Sequence, residues 1–167
     1  MANITLGGTP TTTNKDLPKV GDKLEDFKFT ANDMSEVKLS DYNGKNIILN
    51  IFPSVDTGVC ATSVRKFNQE VASLDNTVVL CVSKDLPFAQ KRFCGAEGIE
   101  NAVTLSDFKN PEFSQTIGTA IQSGAFEGLN ARAVVALDSS GKVVHSELVS
   151  EIGNEPNYDA ALKSIKG

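Results

Sequence analysis

Cysteine is scarce in this chain of 167 residues, with three in all: Cys60, Cys81 and Cys94. So few, and an odd number, cannot staple a disulfide scaffold, so in a reducing compartment any pair among them is expected to be catalytic rather than structural. Histidine is scarcer still, with His145 alone. A zinc site built from it and the cysteines lacks the short paired spacing of structural sites, and no metal or other cofactor is expected. There is no basic block either. The 16 Lys and Arg and the 21 Asp and Glu, a net charge of -5, are spread along the sequence, which argues against a nucleic-acid partner. No run of ~20 apolar residues could span a bilayer, so no membrane association is expected. The start MANITLGGTP has neither a charged n-region nor an apolar h-region of about 7–15 residues, which leads to the expectation of a cytoplasmic protein. Repeats, linkers and low-complexity tracts are also missing, and 40% apolar with 22% charged residues suits one globular domain over 1–167.

What is present is patterned. Residues 1–20, with Gly7-Gly8, Pro10 and Thr11 to Thr13 between Ile4 and Leu17, suit a hairpin laid on the outside of the domain. Strand-like runs follow at 27–30 and 37–39, and Asn46 to Phe52 is nearly all apolar, as for a central strand covered on both faces. From Cys60 the period changes, because Val64, Phe67, Val71 and Leu74 recur at helical spacing. A strand over 77–83 comes next, then a helix over 86–94 that Asp85 could cap ahead of Pro87, and a short strand at 102–105. Asn110-Pro111 could open another helix, 133–137 and 142–148 form a hairpin around DSSG, and 158–165 closes the chain as a helix. Such alternation predicts a three-layer α/β domain with a mixed sheet.

The stretch PSVDTGVC, Pro53 to Cys60, joins the buried strand to the helix and carries most of the chemistry. A helix N-terminus favours an anion, and the thiolate is the nucleophilic form of cysteine. Ionisation alone is not enough: a free thiol is roughly 3% ionised at pH 7, so full ionisation gains only about thirtyfold. Thr57 is placed so that its hydroxyl could approach the sulfur, and Pro53 could fix the loop's entry and shield it from water. Arg65 and Lys66 lie more than a turn down the helix, which leaves Arg132, set just before an apolar strand in GLNARAVVALD, as the candidate cation. Each residue also has an ordinary reading. Cys60 could be a buried structural thiol, Thr57 a helix cap, Pro53 a strand terminator, and Arg132 half of a surface ion pair. Cys94 could simply pack, Cys81 within TVVLCVS reads as an inert core thiol, and His145 reads as solvated on its hairpin strand.

Taken together, P-x-x-x-T-x-x-C after an apolar strand and an arginine opening a late strand resemble the active site of a peroxiredoxin. PSVDTGVC, DLPFAQKRFC and GLNARAV resemble more narrowly the bacterial thiol peroxidase subfamily, with similarity from Ile4 to Lys166. The resemblance implies a thioredoxin-like α/β/α fold, a homodimer, and reduction of hydrogen peroxide and organic hydroperoxides with electrons from thioredoxin. It also implies that Cys60 becomes a sulfenic acid in a pocket shaped by Pro53 and Thr57, that Arg132 activates the peroxide, and that Cys94 resolves the sulfenic acid as an intramolecular disulfide. Asn130 departs from the small or apolar residue expected in GLNAR but leaves Arg132 in register. Two other functions compete: a non-enzymatic redox-sensing module and a general thiol-disulfide oxidoreductase. The latter would normally carry C-x-x-C, whereas position 57 is Thr and the second candidate cysteine is distant.

Overall fold

The computed structural model describes residues 1–166 and opens with a hairpin of β1 (Asn3–Leu6) and β2 (Thr9–Thr12), paired antiparallel. Gly7 and Gly8 close it with φ of 58° and 84°, a left-handed pair that residues with a Cβ rarely adopt. β3 (Lys28–Ala31) and β4 (Glu36–Lys38) follow, and Leu39 begins a short 3-10 turn, Leu39–Tyr42, rather than ending the strand. Then come β5 (Asn46–Ile51), α1 (Gly58–Val71), β6 (Thr77–Ser83) and α2 (Pro87–Glu97). β7 (Val103–Ser106), α3 (Glu112–Ile117), β8 (Ala133–Leu137), β9 (Val143–Leu148) and α4 (Tyr158–Lys166) complete the order.

Seven strands form one mixed sheet in the order β4-β3-β7-β6-β5-β8-β9. β5 is an interior strand next to the central β6, parallel to β6 and antiparallel to β8, and for this reason it carries apolar residues on both faces. Ile48 joins Val79, Val134 and Ala136 beneath Val64, Phe67 and Val71 of α1, Phe93 of α2, and Ala161 and Leu162 of α4. Ile47, Leu49 and Ile51 face the other way, onto Phe113 and Ile117 of α3. On that side Phe113 meets Phe27 and Phe29 edge-on, with ring centroids 5.1 and 5.0 Å apart. The expected three layers are therefore present, each fully buried Val, Leu, Ile or Phe side chain contributing roughly 1.5–3 kcal/mol of transfer free energy.

Three local expectations need correction. α1 starts at Gly58, so Cys60 is its third residue, and the helix stops at Val71 short of Leu74. α2 does not end at Cys94: it passes through Gly95 to Glu97, and Gly98, with φ of 66°, caps it by donating its N–H to the Cys94 carbonyl. Asp85 does not cap α2 either, since Leu86 occupies that position and the Asp85 side chain is engaged elsewhere.

Candidate active site

β5 and β6 run parallel, so the loops leaving their carboxyl ends lie side by side. Asp85, just after β6, uses this proximity: its carboxylate accepts from the Ser54 hydroxyl at 2.7 Å, the Val55 N–H at 2.8 Å and the Ser83 hydroxyl at 2.7 Å. The loop opened by the buried Pro53 is thereby pinned. Thr57, extended at φ -92° and ψ 145°, precedes α1 without capping it through its side chain. Its hydroxyl donates to the Ser54 carbonyl at 3.2 Å, not to the sulfur, and its free lone pairs remain able to accept.

Cys60 is fully buried in the first turn of α1, where no acidic residue competes for the positive end of the helix. Ser63 donates its hydroxyl to the Cys60 carbonyl at 2.8 Å, and the Asn50 amide donates to Ser63 Oγ at 3.2 Å and to Cys81 Sγ at 3.7 Å. Arg132, only 1% exposed, points its Nη2 at Cys60 Sγ, 3.0 Å away. Its Nε–H donates to the Ile152 carbonyl at 2.8 Å, and Nη1 is buried with no partner. A buried guanidinium with an unused donor beside a sulfur can both hold a thiolate and bind one further acceptor. Arg65 and Lys66 do point elsewhere, onto Glu97 and Glu70.

Behind Arg132, Asn130 is fully buried and donates to both Asp107 carboxylate oxygens at 3.3 and 3.2 Å, while accepting from Thr119 Oγ1 at 3.0 Å. Burial pushes the Asp107 carboxyl above its ordinary range, against the opposing pull of Lys84 at 3.0 Å. The polar Asn130 of GLNAR thus completes a buried network that an apolar residue could not. Tyr158 packs edge-on against Phe67 with centroids 5.2 Å apart, and burial together with its bond to Glu155 raises its phenol, which stays neutral.

The three cysteines are free. Burial pushes the Cys81 thiol up to about 12, which fits an inert core residue. Cys94 is half-buried near the end of α2, its sulfur 3.3 Å from Thr104 Oγ1 and 3.9 Å from the Asn32 amide, in a groove that Asn32 and Thr104 also line. Cys60 and Cys94 pack on the same side of the sheet with different polar partners. His145 is not solvated as expected: its side chain is 17% exposed and lies 3.8 Å from Glu147. Among the described residues no group of His, Cys, Asp or Glu could hold a metal ion, and no helix is long and apolar enough to cross a membrane.

Sequence reasoning misread Asp85 and overlooked Ile152. Asp85 could have been found from its place at the end of a strand parallel to β5, where adjacent loops converge. Ile152 acts through its carbonyl, for which no side-chain pattern exists.

A mixed α/β sheet that sets a buried cysteine at a helix N-terminus against a buried arginine defines the peroxiredoxin class of site, carried on a thioredoxin-like fold. The chain belongs to the Redoxin family, whose model matches residues 19–162. It is 51% identical over 165 residues, 99% of each chain, to a thiol peroxidase of Corynebacterium glutamicum. In structure it is similar to a peroxiredoxin-like protein from Aquifex aeolicus, with a TM-score of 0.93, 37% identity, and coverage of 99% of this chain and 96% of the other. A thiol peroxidase from Chromobacterium violaceum shares the fold with a TM-score of 0.90 at 20% identity, over 97% of this chain and 94% of the other. The enzyme is a peroxidase of the peroxiredoxin type.

Proposed function

We propose that the enzyme reduces hydrogen peroxide and organic hydroperoxides with Cys60 as the attacking thiolate, Arg132 as the activating cation, and Pro53 and Thr57 shaping the pocket. The observation that carries this is the 3.0 Å approach of Arg132 Nη2 to Cys60 Sγ together with the buried, unpartnered Nη1. Sγ attacks one peroxide oxygen, the O–O bond breaks, and the other oxygen leaves as hydroxide or alkoxide to be protonated to water or alcohol. Cys60 is left as a sulfenic acid. The guanidinium interacts with the charge that moves from sulfur to the departing oxygen, an electrostatic contribution available without reorganisation in a dry site. The lone pairs of Thr57 Oγ1 can accept from the peroxide's O–H while its own proton is held by Ser54.

Cys94 is the resolving residue. Its thiol displaces the sulfenic hydroxyl, forming the Cys60–Cys94 bond and releasing water, and thioredoxin returns both cysteines to thiols. The half-buried position of Cys94 beside a surface groove supports this role over the sealed Cys81. The working protein is a cytoplasmic homodimer of one-domain chains, each with residues 1–20 as a hairpin extension.

A coupled assay with peroxide, thioredoxin, its reductase and NADPH tests the proposal. The wild type is expected to consume NADPH in proportion to peroxide, and Cys60→Ser to be inactive with an unchanged circular dichroism spectrum. Turnover in Cys60→Ser would remove Cys60 from the mechanism. Activity with small thiols but none with thioredoxin would overturn the choice of reductant.

A further inference from the structure

The orientation of Arg132 is set from outside the sheet. Nη2 reaches Cys60 and Nη1 has no partner, so the bond that fixes the rotation of the guanidinium plane is the one from Nε to the Ile152 carbonyl, at 2.8 Å. Ile152 lies beyond the end of β9 in a segment without regular structure of its own. β1 supplies what holds it: the Thr5 N–H donates to the Ser150 carbonyl at 2.7 Å and the Ile152 N–H to the Thr5 carbonyl at 2.9 Å, a single parallel bridge across Glu151.

The Glu151 carboxylate then ties this bridge to the hairpin turn. Oε1 accepts from Thr5 Oγ1 at 2.9 Å and the Gly8 N–H at 2.8 Å, and Oε2 accepts from the Gly7 N–H at 3.2 Å and the Gly153 N–H at 2.9 Å. Ile152 therefore sits between two bonded neighbours, Glu151 and Gly153. The apolar face of the hairpin adds a second hold, because Ile4 packs in one buried cluster with Ile152 and with Ala131, the residue before Arg132. With the N–H groups of Gly153 and Gly8 contributing most, the Glu151 carboxyl falls from its ordinary 4.5 to about 2, so it remains a charged acceptor across the working pH range.

Taking Cys60 and Arg132 as the reacting pair proposed above, we infer that Glu151 and the N-terminal hairpin form a positioning device for catalysis, aiming the Arg132 guanidinium through the Ile152 carbonyl. Glu151 touches neither sulfur nor peroxide. It holds a backbone acceptor in place, and small misplacements of a catalytic donor are costly in rate.

A double-mutant cycle separates aiming from mere stabilisation. Stopped-flow rates of Cys60 oxidation by hydrogen peroxide are compared for wild type, Glu151→Ala, Arg132→Ala and the double variant, with thermal midpoints recorded for each. Glu151→Ala is expected to slow oxidation roughly tenfold or more in the wild-type background and to have almost no further effect once Arg132 is gone. Its lowering of the midpoint should persist in both backgrounds. Thr5→Val, which removes one of the four bonds to the carboxylate, should give a smaller loss of rate, also cancelled by Arg132→Ala. It serves as the probe if Glu151→Ala does not fold. Equal slowing by Glu151→Ala with and without Arg132, or an unchanged rate in folded Glu151→Ala and Thr5→Val, would overturn the inference. If Arg132→Ala itself leaves the rate unchanged, the failure lies in the assignment of the reacting pair, and the positioning role falls with it.

Discussion

The three cysteines share a chain and a side of the sheet but differ in what surrounds each sulfur. Cys60 has a buried guanidinium at 3.0 Å, Cys94 has a hydroxyl and a more distant amide at the edge of a groove, and Cys81 is enclosed in β6 with its thiol pushed up to about 12. Only the first environment combines an anion-favouring helix terminus with a cation. For Cys81 the expected outcome of a Cys81→Ser exchange is full peroxidase activity with stability lower by about 1–2 kcal/mol, because a hydroxyl replaces an apolar-packed sulfur and its one nearby partner is the Asn50 amide. Urea denaturation alongside the coupled assay checks both halves, and a folded but inactive Cys81→Ser protein would move the resolving role to that residue. Asp85 carries a different lesson, since an aspartate ahead of a helix and a proline has the pattern of a cap. The pattern does not reveal that three donors from and beside the Cys60 loop claim its carboxylate first.

Helix ends decide what the proposed Cys60–Cys94 disulfide requires. Cys60 lies in the first turn of α1 and Cys94 is followed by one further turn of α2, closed by the bond from Gly98 to the Cys94 carbonyl. A disulfide draws Cα atoms to within about 4.4–6.8 Å, whereas each sulfur here is engaged with a different element, Cys60 with Arg132 just before β8 and Cys94 with Thr104 of β7. Oxidation is therefore expected to unwind one or both ends, which open more easily than helix interiors. Peptide mapping after one equivalent of peroxide should find Cys60 joined to Cys94 within one chain, and hydrogen exchange should show residues 60–64 or 88–95 less protected in the oxidised form. A bond between subunits, or equal protection in both forms, would contradict this. α1 and α4 were legible because 3.6-residue periodicity reports a buried face, whereas α2 and α3 were signalled by Pro87 and by Asn110-Pro111. The end of α2 was not. Cys94-Gly95 looked like a terminus, yet Gly95 remains helical and Gly98 takes the left-handed position because Ile99 beyond it packs into the core.

At the scale of the molecule, the sheet order is what assembles the site: β6, β5 and β8 are neighbours in that order, so the loop after β5, Asp85 in the loop after β6 and Arg132 just before β8 meet at one end of the sheet. The approach of Arg132 to Cys60 was readable because side-chain type and spacing record it, and Thr57 and Pro53, read from the same stretch, are the proposed pocket residues. Ile152 and the Glu151 carboxylate were hidden because a backbone acceptor has no residue preference and the hairpin it answers to is remote in sequence. The pairing of Cys60 with Arg132 stands at the centre of this arrangement. It is tested most directly by the second-order rate of Cys60 oxidation in Arg132→Ala, measured by stopped flow from neutral pH to a pH at which the thiol is ionised in both proteins. The rate is expected to fall far more than the roughly thirtyfold that loss of thiolate alone could explain at pH 7, and to stay depressed when the pH is raised. A fall of only a few-fold, or full recovery at high pH, would contradict it, leaving Arg132 no part in breaking the O–O bond.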